Sequence, residues 1–227
     1  MPATRTKQTR YIMHELTNKY KYIIFDFDGT INDTSPGIYA TFRKVLSHFG
    51  VDYSDVDLSR HIGPPLEYTY EHLVGKQNMD EAIKLHYKVF ADDNAAQNSH
   101  LYDGIKQTIA ALKNHGYVIA IASSKYEPHA VESLAYFGLS QYFDYVYGQT
   151  ERRGYKIEVL RQLIDDHNWD KSKCLMIGDT FYDAEGAAAN KVDFLAVSYG
   201  FGHMDELLKG NPVAIADSPK QIADLLL

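Results

Sequence analysis

The sequence is poor in cysteine and in long hydrophobic runs. Its single cysteine, Cys174, excludes a disulfide within the chain, which is typical of proteins from a reducing compartment. Apolar stretches stay shorter than the ~18 residues that a membrane span needs. The first residues are polar and include Arg5, Lys7 and Arg10, without the apolar segment of a secretory signal. We therefore expect a cytoplasmic protein without a membrane partner.

Positive charge is also scarce. The chain has 23 Lys and Arg residues against 30 Asp and Glu residues, for a net charge of −7. A nucleic-acid polymer is therefore not expected as a partner, because such proteins present a basic surface. The hydrophobic fraction of 45% is ordinary for a globular protein, and 227 residues suffice for one domain with a smaller insert.

One stretch, residues 22–30, combines an apolar run with two acids. Four apolar residues lead directly into Asp26, which is followed by Asp28, Gly29 and Thr30. The run predicts a buried parallel strand, and ligands bind outside the carboxyl ends of such strands. Two neighbouring carboxylates repel each other unless a cation or a shared proton relieves them, so the pattern indicates a Mg²⁺ site. The alternative is a strand followed by a plain acidic turn, because Asp-Gly is a common turn dipeptide.

Apolar runs then alternate with segments of helical period. Further strands are predicted at residues 118–122, 145–147, 174–177, 194–197 and 213–215, and this alternation is typical of an α/β fold with a mostly parallel sheet. Residues 54–102 lack a strand pattern and read as helical. We therefore expect a flexible N-terminal extension at 1–18, a core domain formed by 19–35 and 103–227, and a helical domain at 36–102.

Other predicted strand ends also carry polar side chains. Ser123 and Ser124 follow the second core strand, Asp179 follows the fourth, and Asp183 lies four residues beyond it. Lys156 begins a predicted helix after the third. These positions share one edge if the strands are parallel neighbours. Nearby cations compete with Lys156 for the role of anion ligand, namely Lys125, Arg152 and Arg153.

Together these motifs resemble the haloacid dehalogenase (HAD) superfamily of phosphotransferases. Asp26-Phe27-Asp28-Gly29-Thr30 is similar to motif I, Ser123 to motif II and Lys156 to motif III. The stretch from Gly178 to Asp183 is similar to motif IV. The resemblance covers roughly residues 20 to 227 and implies a three-layer Rossmann-like core, with a helical cap of the C1 type inserted after the first strand.

The resemblance also implies a reaction and assigns its main residues. Asp26 is expected to be the nucleophile that forms an aspartyl-phosphate, and Asp28 the general acid and then the general base. Lys156 would supply positive charge to the phosphoryl oxygens. Gly29, Ser123 and Ser124 would complete the phosphate site.

The family's metal site can be carried over in the same way. Mg²⁺ would be held by the carboxylate of Asp26, the backbone carbonyl of Asp28, and Asp179. Thr30 and Asp183 are expected to support this site without binding the metal directly, Asp183 by orienting metal-bound water or Lys156.

The cap would close over the site and select the substrate's leaving group. Its segment at residues 61–66 looks like the substrate loop of phosphoglycolate phosphatase-like members. Arg60, His61, Tyr68 and Lys76 are candidate contacts to the leaving group, although ordinary helix surface is the favoured interpretation for each.

The expected activity is that of a Mg²⁺-dependent phosphatase acting on a small phosphomonoester, with phosphoglycolate as one candidate. A nucleoside 5′-monophosphatase, a pyrophosphatase and a sugar phosphomutase keep the same motifs and remain alternatives. Dehalogenases and phosphonatases lack the second aspartate, so Asp28 disfavours them. A non-catalytic binding module or a phosphoacceptor of the receiver type is the alternative from another class. A small phosphate ester is the only partner expected, and a monomer is favoured over a dimer.

Overall fold

A computed structural model describes residues 16–62, 66–92 and 98–227. The chain divides into two compact units. We call them the core unit, which contains the residues up to Ile31 and Leu101–Leu227, and the insert unit, Asn32–His100. Most of the predicted N-terminal extension and the centre of the predicted substrate loop, residues 63–65, lie outside the described residues.

A six-stranded sheet forms the centre of the core unit, and all of its strands are parallel. Its order is β5-β4-β1-β6-β7-β8. The strands are β1 (Tyr22–Phe25), β4 (Val118–Tyr126), β5 (Tyr145–Gln149), β6 (Cys174–Gly178), β7 (Asp193–Val197) and β8 (Ala214–Ala216).

The register of β1 determines where polar side chains can meet. Phe25, its last residue, pairs with Ile121 of β4 on one side and with Ile177 of β6 on the other. The residues that follow Phe25, Ile121 and Ile177 in these three strands therefore lie side by side, towards the carboxyl edge of the sheet. Asp26 follows β1 there, and its amide donates a hydrogen bond to the carbonyl of Ile177 at 2.9 Å.

Helices cover both faces of this sheet. Because side chains alternate along a strand, Ile23 and Phe25 enter one hydrophobic cluster and Ile24 the other. The first cluster includes apolar residues of α4 (Ile105–His115) and α9 (Pro219–Leu226), and the second includes residues of α6 (Lys156–Asp166) and α7 (Phe181–Asn190). The part of this unit that the structure describes also contains α5 (Glu127–Tyr136) and α8 (Met204–Lys209). The predicted three-layer α/β fold is confirmed.

The described residues of the insert unit form three α-helices, α1 (Ser35–His48), α2 (Leu66–Val74) and α3 (Met79–Asp92). Part of its interior is aromatic: Phe42 of α1, Tyr70 of α2 and His86 of α3 pack together, and the Tyr70 hydroxyl lies 2.7 Å from Nδ1 of His86. A turn of 3₁₀-helix, Leu58–His61, precedes α2.

Two short strands correct the prediction for this region. Asn32–Asp33 forms β2 and His100–Leu101 forms β3, and these two strands pair with each other. The sequence pattern predicted no strand at either position and a helical segment at the second. Strands of two residues are too short to show an alternating pattern, which explains the difference. Among the described residues, no helix has the length and hydrophobicity to cross a bilayer.

Candidate active site

Asp26 lies at the centre of a buried polar cluster at the carboxyl edge of the sheet. Only 7% of the residue is exposed. Burial raises the pKa of Asp26 to about 6, although the neighbouring ammonium group of Lys156 acts in the opposite direction. The charge state of the Asp26 carboxyl group therefore depends on a positively charged neighbour.

Lys156 is that neighbour. Its Nζ lies 2.6 Å from Oδ1 of Asp26 and 2.8 Å from Oδ1 of Asp183, and it donates a hydrogen bond to the carbonyl of Ala122 at 2.9 Å. Burial alone would lower the pKa of Lys156, but the carboxylates of Asp183 and Asp26 outweigh burial and raise it. This lysine is therefore a buried ammonium group at the start of α6, and two carboxylates favour its charged form.

Two of the three competing cations have other partners, and the third is exposed. Nζ of Lys125 lies 3.2 Å from Oδ2 of Asp28, and a guanidinium nitrogen of Arg153 lies 2.6 Å from Oε2 of Glu127. Arg152 is exposed. Lys156 is thus the cation that the structure places beside Asp26.

Asp179, which follows β6, is fully buried and held on both sides. Its Oδ1 accepts a hydrogen bond from the hydroxyl of Thr30 at 3.0 Å, and its Oδ2 accepts one from the amide of Phe201 at 2.8 Å. Burial and the nearby charges of Asp183 and Asp26 raise the pKa of Asp179 well above its usual value.

Asp183 has two functions in the fold. Its Oδ2 accepts hydrogen bonds from the amide and hydroxyl of Thr180 at 2.9 and 2.8 Å, which caps the start of α7. Its Oδ1 faces Lys156. One carboxylate therefore links a helix cap to the buried lysine.

The cluster has the composition of a cation site. One ligand atom from each of Asp26, Asp179 and Asp183 lies within 4.8 Å of the others, and all three residues are buried. Lys156 is the ammonium group among these three carboxylates, so full ionisation leaves an excess of two negative charges. Buried like charges are costly, and a divalent cation with oxygen ligands would neutralise them. The residues present therefore fit such an ion.

A distortion of β4 shapes the next part of the edge. The pairing of β4 with β5 shifts register between Ala122 and Tyr126. Within this bulge the hydroxyl of Ser123 accepts a hydrogen bond from the amide of Lys125 at 3.2 Å. Ser123 is buried, whereas Ser124 is exposed. The two serines that were predicted together as phosphate ligands thus lie in different environments.

Two glycines leave room for the acids. Gly29 adopts a left-handed conformation with φ of +86°, and a Cβ atom there would overlap the carboxylate of Asp179. A Cβ atom at Gly178 would overlap the side chain of Asp183. Both acids therefore pack directly against backbone.

Sequence reasoning missed one element of this edge, the loop at residues 199–202. Besides the Phe201 amide, it contributes the hydroxyl of Tyr199, which donates to the carbonyl of Thr30 at 2.8 Å. The pattern that could have identified it is Gly-x-Gly after the apolar run of β7, at the same sheet edge as the acids.

The candidate leaving-group contacts lie in the insert unit. The guanidinium Nε of Arg60 lies 3.5 Å from Oδ2 of Asp57, and 63% of the Tyr68 surface is exposed. Lys76 is exposed. The ring of His61 lies 5.8 Å from that of His72, and burial lowers the pKa of His61.

Comparison with known proteins identifies a family and several relatives. A family model described as haloacid dehalogenase-like hydrolase matches residues 23–197. The chain is 34% identical over 196 residues to tyrosine-protein kinase PtkA of Mycobacterium tuberculosis, with 85% of this chain and 67% of that protein covered. It is 33% identical over 205 residues to a 5′-nucleotidase of Pseudomonas aeruginosa, with 88% and 92% covered.

A more distant relative and a solved structure agree with the family match. The chain is 26% identical to a phosphoglycolate phosphatase of Photobacterium profundum, over 91% of this chain and 95% of that one. The structure of a haloacid dehalogenase-like family hydrolase from Streptococcus pneumoniae has a TM-score of 0.86 at 26% identity, with 91% of this chain and 98% of the other covered.

Proposed function

Because the chain belongs to the haloacid dehalogenase-like hydrolases, we propose that it is a Mg²⁺-dependent phosphatase that transfers the phosphoryl group of a small phosphomonoester to Asp26 and then to water. The family and the phosphatases among its relatives support a phosphoric monoester hydrolase. The metal, the intermediate and the substrate are proposals.

One observation supports the mechanism above others: the 2.6 Å contact between Lys156 Nζ and Asp26 Oδ1. A carboxylate is a weak nucleophile, and an anionic phosphate repels it. An ammonium group that touches the carboxylate keeps it ionised and can also attract the phosphoryl oxygens. In the first step an Asp26 oxygen bonds to phosphorus while the bond from phosphorus to the leaving oxygen breaks.

Asp28 is proposed to move the protons. In the first step it donates a proton to the leaving oxygen. In the second step its carboxylate takes a proton from a water molecule that attacks phosphorus, and the bond between phosphorus and Asp26 breaks. Asp28 suits this exchange because it is more exposed than Asp26, so it can meet both the leaving group and water.

The phosphoryl oxygens need donors around this edge. We assign the hydroxyl of Ser123, the amide of Gly29 and the ammonium group of Lys156, with Ser124 as a further donor. Gly29 suits this role because it lacks a side chain that would keep the substrate away from its amide.

The proposed ligands of the metal are Asp26, the backbone carbonyl of Asp28, and Asp179. When bound, the ion would offset the repulsion among the buried carboxylates and withdraw charge from the phosphoryl group. Asp183 is left as a positioning residue, because its two oxygens already serve Lys156 and the cap of α7.

The insert unit is proposed as the cap that selects the leaving group. Phosphoglycolate remains a candidate substrate. A nucleoside 5′-monophosphate is the second candidate, and it is supported by the 33% identity to a 5′-nucleotidase that is covered over 92% of its length. Pyrophosphate and sugar phosphates complete the set to be tested.

The test is hydrolysis of para-nitrophenyl phosphate and of a panel with phosphoglycolate, nucleoside 5′-monophosphates, sugar phosphates and pyrophosphate, with Mg²⁺ or with EDTA. Asp26→Asn should abolish turnover of every substrate, and Asp205→Asn, at an exposed helix position, should not change it. Full activity of Asp26→Asn would refute the nucleophile. Full activity in EDTA would refute the metal.

A further inference from the structure

We infer that the loop at residues 199–202 is a positioning element that presents the carboxylate of Asp179 to the metal and sets the metal affinity. The inference rests on the metal site in the proposed function. It concerns a segment that neither the motifs nor the assigned roles include.

Asp179 is fixed by one donor on each oxygen. The Phe201 amide, from the loop, holds Oδ2 at 2.8 Å, and the Thr30 hydroxyl holds Oδ1 at 3.0 Å. Two donors on opposite oxygens define the plane of a carboxylate, so the side chain cannot rotate without losing one of them. Each oxygen keeps a second lone pair that a cation can use.

Tyr199 controls the second of these donors. Its hydroxyl donates to the backbone carbonyl of Thr30 at 2.8 Å, and its ring packs edge-on against Tyr102 at 4.7 Å between centroids. The loop therefore holds Asp179 twice, directly through the Phe201 amide and indirectly through the position of Thr30.

Two glycines, Gly200 and Gly202, allow the loop to approach Asp179 closely. A Cβ atom at Gly200 would overlap the carbonyl oxygen of Gly29 and the side chain of Asp179, and one at Gly202 would overlap the carbonyl oxygen of Asp179. Neither glycine has a positive φ, so the backbone does not require glycine here. The requirement is space around Asp179.

A ligand that is already oriented loses little conformational freedom when the metal binds. Groups that orient metal ligands from behind typically contribute about 10- to 100-fold to affinity. Because Tyr199 acts through Thr30, we expect Tyr199→Phe to weaken Mn²⁺ binding by about threefold to tenfold, and Gly202→Ala by about tenfold or more.

The matched control is Tyr117→Phe. The Tyr117 hydroxyl also donates to a backbone carbonyl at 2.8 Å in the core unit, that of Leu226. Both variants lose one such hydrogen bond and should lower the unfolding temperature in EDTA to a similar extent. Only Tyr199→Phe should also weaken Mn²⁺ binding, measured by calorimetry and by the electron paramagnetic resonance signal of free Mn²⁺.

For Gly202→Ala the control is Gly154→Ala, where a Cβ atom meets nothing closer than 3.9 Å.

The outcomes separate this inference from the proposed function. If Tyr199→Phe binds Mn²⁺ within twofold of the unaltered protein, or if the unaltered protein binds no Mn²⁺, the inference is wrong. If Mn²⁺ binding responds as expected but no phosphate ester is hydrolysed, the inference stands and the proposed function fails. Hydrolysis with unaltered Mn²⁺ affinity in Tyr199→Phe overturns the inference alone.

Discussion

The ammonium group of Lys125 lies 3.2 and 3.3 Å from the two carboxylate oxygens of Asp28. Its side chain is 12% exposed, and its Nζ lies 5.8 Å from the centre of the Phe27 ring. The bulge in β4 places it there. This pair lies beside the buried cluster of Asp26 and Lys156, so the two catalytic acids of the proposed mechanism have separate cationic partners.

The first prediction concerns this pair. Lys125→Met should lower kcat for para-nitrophenyl phosphate by about tenfold or more, because a charge-assisted hydrogen bond contributes about 1.5–3 kcal/mol and here it orients the ionised Asp28 that takes a proton from water in the second step. Lys113→Met is the control, since Lys113 makes a 2.6 Å ion pair with Asp144 in the same unit. Equal kcat for Lys125→Met and the unaltered protein would show that Asp28 needs no such partner.

The second prediction concerns stability. Lys156→Met should lower the free energy of unfolding by about 3–5 kcal/mol, because it leaves Asp26 and Asp183 buried without their cation. Urea denaturation in EDTA measures this. Lys220→Met removes an exposed ion pair with Asp224 and should change little. A loss below 1 kcal/mol for Lys156→Met would mean that the buried carboxylates do not depend on this lysine.

The third prediction concerns the metal. Mg²⁺ at about 100 times its dissociation constant should stabilise the fold by about 2.7 kcal/mol and raise the unfolding temperature by about 5–10 °C. Asp179→Asn should remove most of this rise, and Asp170→Asn, at an exposed turn, should keep it. Thermal scans of each protein with and without Mg²⁺ measure this rise. A full rise in Asp179→Asn would exclude Asp179 as a ligand.

The fourth prediction concerns pH and the insert unit. Burial lowers the pKa of His86 to about 4 from an unfolded value near 6.5, so the folded protein keeps this ring neutral while the unfolded chain takes up a proton. The stability that His86 contributes is complete above about pH 6.5 and is lost as the pH falls towards 4. Between pH 7.5 and 5.0 the loss should be about 2 kcal/mol.

Denaturation at the two pH values, for the unaltered protein and for His86→Leu, tests this directly. The variant should lack this part of the pH dependence. His48→Leu, at an exposed position of α1, should retain it. If all three proteins lose the same free energy between pH 7.5 and 5.0, His86 is not responsible.

Much of the fold could be predicted from local patterns. The uninterrupted apolar runs of β1 and β6 predicted buried parallel strands, and the structure has them as Tyr22–Phe25 and Cys174–Gly178. The resemblance to the HAD superfamily is confirmed by the family match and by the fold. The roles of the individual site residues remain predictions.

Other features depended on contacts between distant parts of the chain. The sequence offered several cations near motif III, and the choice of Lys156 depends on packing: a Cβ atom at Gly186 would lie 2.9 Å from Lys156 Cγ. The loop at residues 199–202 was missed because its contact with Asp179 spans 22 residues and uses a backbone amide, which carries no mark in the sequence.

The sequence alone thus determined where the strands end. Strands of a parallel sheet are buried on both faces and need apolar runs, and these runs end at the polar residues of the site. It also determined the acids available at that edge. Only the tertiary structure decided which donor faces which carboxylate oxygen. Strand register, the bulge in β4 and the room left by glycines set those distances, and each is a property of the packed chain.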